Sequence, residues 1–369
     1  MPGSGDGFGP GFADGRDDGP DDGLGKGLGK GRGDGRGDDD GHGHGDGDGQ
    51  GNGLGEVVGS RAEAHRAALT GYCYRMLGSP GEAEDAVQET FERAFRHRER
   101  FDEARGTLRA WLFRIATNIC LDMLRGARRR AIAIDMGPAA SGPPSAPPLG
   151  EEHWVRPAPD ARVLDPADVA VRRESVRLAF VAALQWLPPR QRAVLILRDV
   201  LCWRAAEVAD LLGVSAAAVN SALQRARATL ARVDVPPADV HDPDDPAQRD
   251  LLARYVDAFE RYDVAALVAL LREDATMSMP PFAWWLQGAE AIRTALLHSD
   301  GTCQGARLVP VAANATAAFG QYHPSPGGGH EPFALVQIET RGGRISALTT
   351  HLDAVPLFPL FGLPVRLPR

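Results

Sequence analysis

The sequence predicts a multidomain fold. Two all-α modules, the second carrying a helix-turn-helix, stand between a disordered Gly/Asp-rich tail and a C-terminal α+β cone. Three observations predict this in the 369-residue chain. Apolar residues recur at three- and four-residue spacing from Ser60 to Arg125 and again from Asp168 to Val233. Proline-broken stretches separate these periodic blocks. Beyond Gln248, helical segments give way to short alternating runs, the order of helices packed on an antiparallel sheet. The resulting boundaries are 1–58 for the tail, 59–130 and 168–233 for the helical modules, 131–167 and 234–247 for linkers, and 248–369 for the cone.

The tail is Gly and Asp with scattered Arg, Lys and His, and has too little apolar surface to offset the entropy of ordering. Calcium-binding β-roll repeats need an aliphatic residue at a fixed place in each repeat, and only Leu24, Leu28 and Leu54 are present. His42 and His44 offer a metal no fixed geometry.

In the first module, Ser60 to Met76 reads as a helix ending at Gly78. Ser79, Pro80 and Glu82 form a capping-box start for the next, in which Val87, Phe91, Ala94 and Phe95 should face the core. A third helix buries Leu108, Leu112, Ile115 and Ile119. Beside that arc Trp111, Arg114, Asn118, Asp122 and Arg125 fall three and four apart on one stripe. An aromatic face stacks an unpaired base, arginines hold phosphates, and Asn or Asp reads a base edge, so the row suits single-stranded nucleic acid. A solvated face with Trp111 turned into the core is the alternative. The basic run Arg125 to Arg130 fits either phosphate contact or the negative end of the helix dipole.

Residues 131–167 read as an extended linker. After it, Val176, Phe180 and Leu184 mark one helix and Pro188-Pro189 open another. Arg204 to Leu212, Gly213 and the cap Ser215 then make a helix-turn-helix. Val219, Leu223, Ala226 and Leu230 point inward, which leaves Ala217, Ala218, Asn220, Ser221, Gln224 and Arg225, with Arg204 at the preceding helix start, available to a major groove.

Past the acidic second linker, Leu251 to Phe259 and Val264 to Leu271 are helical, Ala275 to Met279 alternates as a strand, and Gly288 to His298 is helical. Runs near Leu308, Thr316, Phe333 and Ile345 read as strands. Met277, Phe282, Trp284 and Trp285 are candidates to line an apolar pocket, with His298, His351 and Asp353 as candidate polar groups.

The net charge of −8 disfavours a nucleic-acid binder as a whole, but the acid is concentrated in the tail and around Asp239 to Asp245, while arginines outnumber carboxylates between Arg61 and Arg130. The four cysteines, Cys73, Cys120, Cys202 and Cys303, form no C-x-x-C pair and read as buried free thiols, not a zinc site. With no signal peptide and no apolar run of membrane length, the expectation is a soluble, cytoplasmic protein without membrane contact.

The stretch DAVQETFERAF followed by WLFRIATNICLDMLR resembles region two of the extracytoplasmic-function sigma factors of bacterial RNA polymerase, and the helix-turn-helix at a linker's remove resembles their region four. The tail end HLDAVPLFPLFGLPVR resembles sigma factors with a fused SnoaL-like, ketosteroid-isomerase-like domain. The resemblance implies that Asp85, Gln88 and Glu89 grip the clamp coiled coil of the polymerase largest subunit. It further implies that Trp111, Arg114, Asn118, Asp122 and Arg125 melt and read the minus-ten element, and that the loop from Phe101 to Leu108 pockets a flipped base. Region four would read the minus-thirty-five element and touch the polymerase flap. There Asn220 stands where a lysine is usual and Ala222 where an arginine is usual, which implies fewer phosphate contacts and a weaker salt dependence.

The expected function is therefore a non-enzymatic promoter-specificity subunit, with core polymerase and promoter DNA as partners, no cofactor, no catalytic residue and no metal. The C-terminal domain is expected to tune its activity, with an unidentified small-molecule ligand as a further partner considered. A conventional helix-turn-helix regulator and an isomerase or cyclase in the cone remain open as alternatives.

Overall fold

The computed structural model describes residues 61–104, 106–164, 173–233, 235–298 and 301–368. The tail expected over 1–58 and the start of the helix expected from Asp168 lie outside the described residues.

Among the described residues the first module carries α1 (Arg66–Leu77), α2 (Pro80–Arg96) and α3 (Leu108–Met123). Helix α1 stops at Gly78, whose φ of +75° turns the chain and whose amide reaches Tyr74 O. A Cβ there would sit 3.2 Å from Arg130 Cδ. Gly78→Ala should cost about 1–2 kcal/mol, read as a lowered midpoint in urea denaturation. Ser79 Oγ caps α2 by accepting the Glu82 amide at 3.4 Å. The box stays half-made because the Glu82 carboxylate is drawn 2.5 Å from Arg130.

Val87 and Ala94 are buried, whereas Phe95, expected inside, is 54% exposed. At 100° per residue position 95 lies about 80° round the helix from position 87, off the buried face. The Arg98 guanidinium covers its ring at 4.9 Å.

The first linker is not a free tether. Ala131, Ala133, Trp154, Val155, Ala158 and Val163 are buried, and Ala131 bridges Trp154 in parallel. Proline-rich composition keeps the backbone extended, but Val155, Ala158 and Val163 join the core of the helical modules. The second module follows as α4 (Leu178–Leu184), α5 (Pro189–Leu195), α6 (Ala205–Leu212) and α7 (Ala216–Leu230). Helices α6 and α7 meet at 101° across Gly213, φ +66°, and Ser215 Oγ caps α7 through the Ala218 amide at 3.2 Å. Both helical modules share one core, in which Phe113 of α3 meets Trp203 at 5.2 Å.

The C-terminal domain runs α8 (Pro246–Glu260), α9 (Val264–Leu270), β1 (Leu271–Ser278), β2 (Trp285–Gln287), α10 (Ala289–Leu297), β3 (Arg307–Ala313), β4 (Thr316–Pro324), β5 (His330–Arg341), β6 (Arg344–His351) and α11 (Ala354–Leu360). The sheet order is β2-β1-β6-β5-β4-β3. The meander β3 to β6 is antiparallel as expected. Strand β1, however, pairs in parallel with β6, making the sheet mixed, and the three-residue β2 was too short to show a period. One sheet face carries Phe319, Val336 and Leu348 against Tyr255, Leu267 and Ile292 of the helices. On the other, Tyr322 and Leu335 pack under Phe358 of α11.

Among the cysteines, Cys73 and Cys120 are buried, Cys303 is half-buried, and Cys202, expected inside, is exposed at a turn with φ +57°. No single helix among the described residues is long and apolar enough to cross a membrane.

Candidate nucleic-acid interface

Helix α3 starts where Thr107 Oγ1 accepts the Ala110 amide at 3.2 Å. Burial of Leu108, Leu112 and Ile119 then fixes its rotation. That rotation leaves Arg114, Asn118, Asp122 and Arg125 exposed on one stripe. Trp111 at its head is half-buried and stacks on Phe101, with ring centroids 5.2 Å apart at 28°, so it falls between the two sequence readings. Asp122 pairs with Arg125 at 3.2 Å, an exposed pair worth little in water and therefore readily exchanged for a nucleic-acid contact. Of the basic run, Arg130 is a structural residue: it is buried and donates to Glu151 O at 2.8 Å and Trp154 O at 3.1 Å. Arg129 covers the Trp186 ring at 3.6 Å.

On α7 the buried side is Val219, Leu223 and Ala226. Ala217, Ala218, Asn220, Ser221, Gln224 and Arg225 are all exposed, as is Arg204, whose amide is held by the Glu207 carboxylate at 2.6 Å. On α2, Asp85 and Gln88 are exposed, and Glu89 is half-buried and paired with Arg93 at 2.6 Å. The two helical modules touch at the row itself, because the Arg114 guanidinium donates to Asp210 O of α6 at 3.1 Å.

The C-terminal domain encloses a cavity of about 850 Å³. Met277, Trp284 and His298 line it, and Phe282 packs against the same core. The remaining pocket candidates lie elsewhere. The Trp285 Nε1 donates to Gly137 O of the linker at 2.9 Å. His351 is on the opposite sheet face, buried, with its Nε2 bonded to Gln337 Oε1 at 2.9 Å. Asp353 is paired with Arg156 at 2.6 Å. Strand alternation is the reason: Leu348 and Thr350 face the cavity, so Thr349 and His351 face away.

Burial, helped by the Arg156 charge, pushes the His351 pKa down to about 3. Between that value and about 6.5 the unfolded chain takes up a proton that the folded chain refuses, so this group's stabilisation is complete above about 6.5 and is lost as pH falls. Urea denaturation at pH 7 and pH 5 should show His351→Gln losing about 2 kcal/mol less stability than the parent on acidification.

One residue of consequence went unread in the sequence. Asn314 sits at the β3–β4 turn with φ +56° and is 0% exposed. Its Nδ2 donates to Tyr74 Oη at 2.6 Å and Val176 O at 2.7 Å, and its Oδ1 accepts the Ala158 amide at 2.9 Å. A single side chain thus ties the C-terminal domain to the first module, the second module and the linker. Arg177 reinforces this through Glu339 at 2.9 Å. The only local signal was an Asn-Ala pair between two apolar runs, which marks a turn and names no distant partner.

Comparison with known proteins bears on both helical modules. The Sigma-70 region 2 family model matches residues 62–130 and the Sigma-70, region 4 model matches residues 177–230. The ECF RNA polymerase sigma factor SigG of Mycobacterium tuberculosis is 47% identical over 317 residues, 83% of this chain and 83% of that protein. The ECF RNA polymerase sigma factor SigJ of the same species is 32% identical over 222 residues, 59% of this chain and 64% of that protein. The crystal structure of Mycobacterium tuberculosis SigJ shares the fold, with a TM-score of 0.54 and 24% identity, covering 83% of this chain and 99% of that structure. With an α3 and a helix-turn-helix that coincide with the two matched regions, and a relative of this identity along most of its length, the chain belongs to the extracytoplasmic-function family of RNA polymerase sigma factors.

Proposed function

We propose that the chain binds core RNA polymerase through the α2 face of Asp85, Gln88 and Glu89, directs it to specific promoters, and opens the minus-ten region with the α3 row. The supporting observation is that row: Asn118 and Asp122 are exposed beside a half-buried Trp111 on a helix whose opposite side is fully packed. Exposed Ala217, Ala218, Asn220, Ser221, Gln224 and Arg225 of α7, with Arg204, meet the minus-thirty-five element in the same reading, and the boundaries given above delimit its parts.

The C-terminal domain acts as a regulator. The two promoter elements lie ~25 base pairs apart, roughly 85 Å at 3.4 Å per pair, whereas α3 and α6 touch here. The arrangement held by Asn314 is thus a closed one, which must open for both elements to be engaged at once. No bond is made or broken by the chain in this reading.

In vitro transcription with purified core enzyme tests it. A promoter-specific transcript that depends on the chain is expected, and its absence rejects the proposal. A helix-turn-helix regulator acting without polymerase would fail to co-purify with core enzyme.

A further inference from the structure

The linker between the two DNA-facing modules forms part of the wall of the C-terminal cavity. Ala140, Ser141, Gly142, Pro143 and Pro144 border it. They are pinned there by Trp284 Nε1 donating to Gly142 O at 2.7 Å, by the Ala140 amide donating to Trp285 O at 2.8 Å, and by the Leu149 amide donating to Pro281 O at 2.8 Å. Side chains from the helices and the sheet supply the rest of the wall.

The wall defines what fits. Phe259, Leu267, Leu271, Met277, Trp284 and Leu348 make it largely apolar, and no lysine or arginine lines it among the described residues. Its one carboxylate, Glu290, is engaged by Arg293 at 2.5 Å. Polar side chains on the wall already have protein partners: Gln321 Nε2 lies 3.5 Å from Cys303 Sγ and 2.7 Å from His323 Nε2, His298 Nδ1 donates to Thr294 O at 2.7 Å, and the Tyr262 hydroxyl donates to Leu296 O at 3.2 Å. A volume of about 850 Å³ lies in the range of small-molecule sites and is far larger than the gaps that close packing leaves in a protein interior.

We infer that this cavity binds an uncharged, largely apolar small molecule, and that the linker strap reports its occupancy. The space is present with the strap already seated, so the molecule fits beneath it and adds contacts to residues 140–144. A ligand favours the state in which it makes more contacts. Occupancy therefore holds the strap on the C-terminal domain and shortens the free tether between α3 and α4. The consequence for transcription, a smaller fraction able to span both promoter elements, rests on the sigma-factor reading above. Binding and strap ordering do not.

The test uses the full-length chain without polymerase or DNA, so its failure leaves that reading standing. The uncharged fluorophore N-phenyl-1-naphthylamine should bind saturably at one site and slow hydrogen exchange of the Ala140 amide at least fivefold. Its sulfonated relative 8-anilinonaphthalene-1-sulfonate should bind at least tenfold more weakly. Thr350→Phe, which places a ring in the cavity, should lower probe affinity at least tenfold while circular dichroism stays native. Trp285→Phe, outside the cavity wall, removes the indole bond to Gly137 O; it should keep probe binding and raise Ala140 exchange several-fold, and it decides the strap claim even where Thr350→Phe does not fold. Absence of saturable binding, equal affinity for the sulfonate, or binding that leaves Ala140 exchange unchanged overturns the inference.

Discussion

Asn118→Ala combined with Asp122→Ala will slow promoter opening severely while leaving association with core enzyme intact. Both side chains are exposed on α3, one turn apart, and neither contributes to the module's core, so folding is not at stake. A base-edge contact of this kind is worth about 1–3 kcal/mol, and losing two should lower the rate of open-complex formation roughly 30-fold to 10⁴-fold. Permanganate footprinting of unpaired thymines measures this directly, and a pull-down with core enzyme serves as the control. Full opening by the double variant would remove α3 from the strand-separating role. Loss of core binding would instead point to a folding or docking defect.

The second large effect concerns Asn314→Gly. Glycine keeps the positive φ available at the turn, so the substitution removes the side chain without straining the β3–β4 connection. It deletes the three buried hydrogen bonds that leave the C-terminal domain, together with one from Gln337 Nε2 within it, and leaves the Ala158 amide and the Val176 carbonyl short of partners. At about 1 kcal/mol for each bond, with a further penalty for stranded groups, the attachment of the C-terminal domain should weaken by roughly 3–5 kcal/mol. Small-angle scattering of the full chain should show a larger radius of gyration, and transcription should change with it. An unaltered scattering profile would show that other contacts, such as Arg177 with Glu339 and Arg156 with Asp353, suffice to hold the closed form.

These expectations differ in how far they could be reached from the chain alone. The α3 row was legible because a helix repeats every 3.6 residues: once Leu108, Leu112 and Ile119 are assigned inward, Arg114, Asn118 and Asp122 have only one place to go. The same logic placed the exposed residues of α7. It failed at Phe95, where an aromatic residue next to the buried stripe was counted as part of it, and at His351, where the direction of alternation along β6 depends on which sheet face is covered. Trp111 lay between the two readings because its neighbour Phe101 comes from a loop with no period of its own.

The linker shows the limit most plainly. Composition marked 131–167 as an extended linker, and the backbone of 131–164 is mostly irregular. Its order comes from elsewhere: Val155, Ala158 and Val163 find the core of the helical modules, and residues 137–149 find Trp284, Trp285 and Pro281 of a domain more than a hundred residues away.

What the sequence by itself determined was each module: its helices, its caps at Ser79 and Ser215, and the side chains it presents to nucleic acid, all of which follow from local periodicity and local hydrogen bonding. What only the tertiary structure decided was how the modules are held. Asn314 reaches Tyr74 across 240 positions, and a hydrogen bond between groups so far apart leaves no repeating pattern, because periodicity encodes whether a residue is buried and never against what.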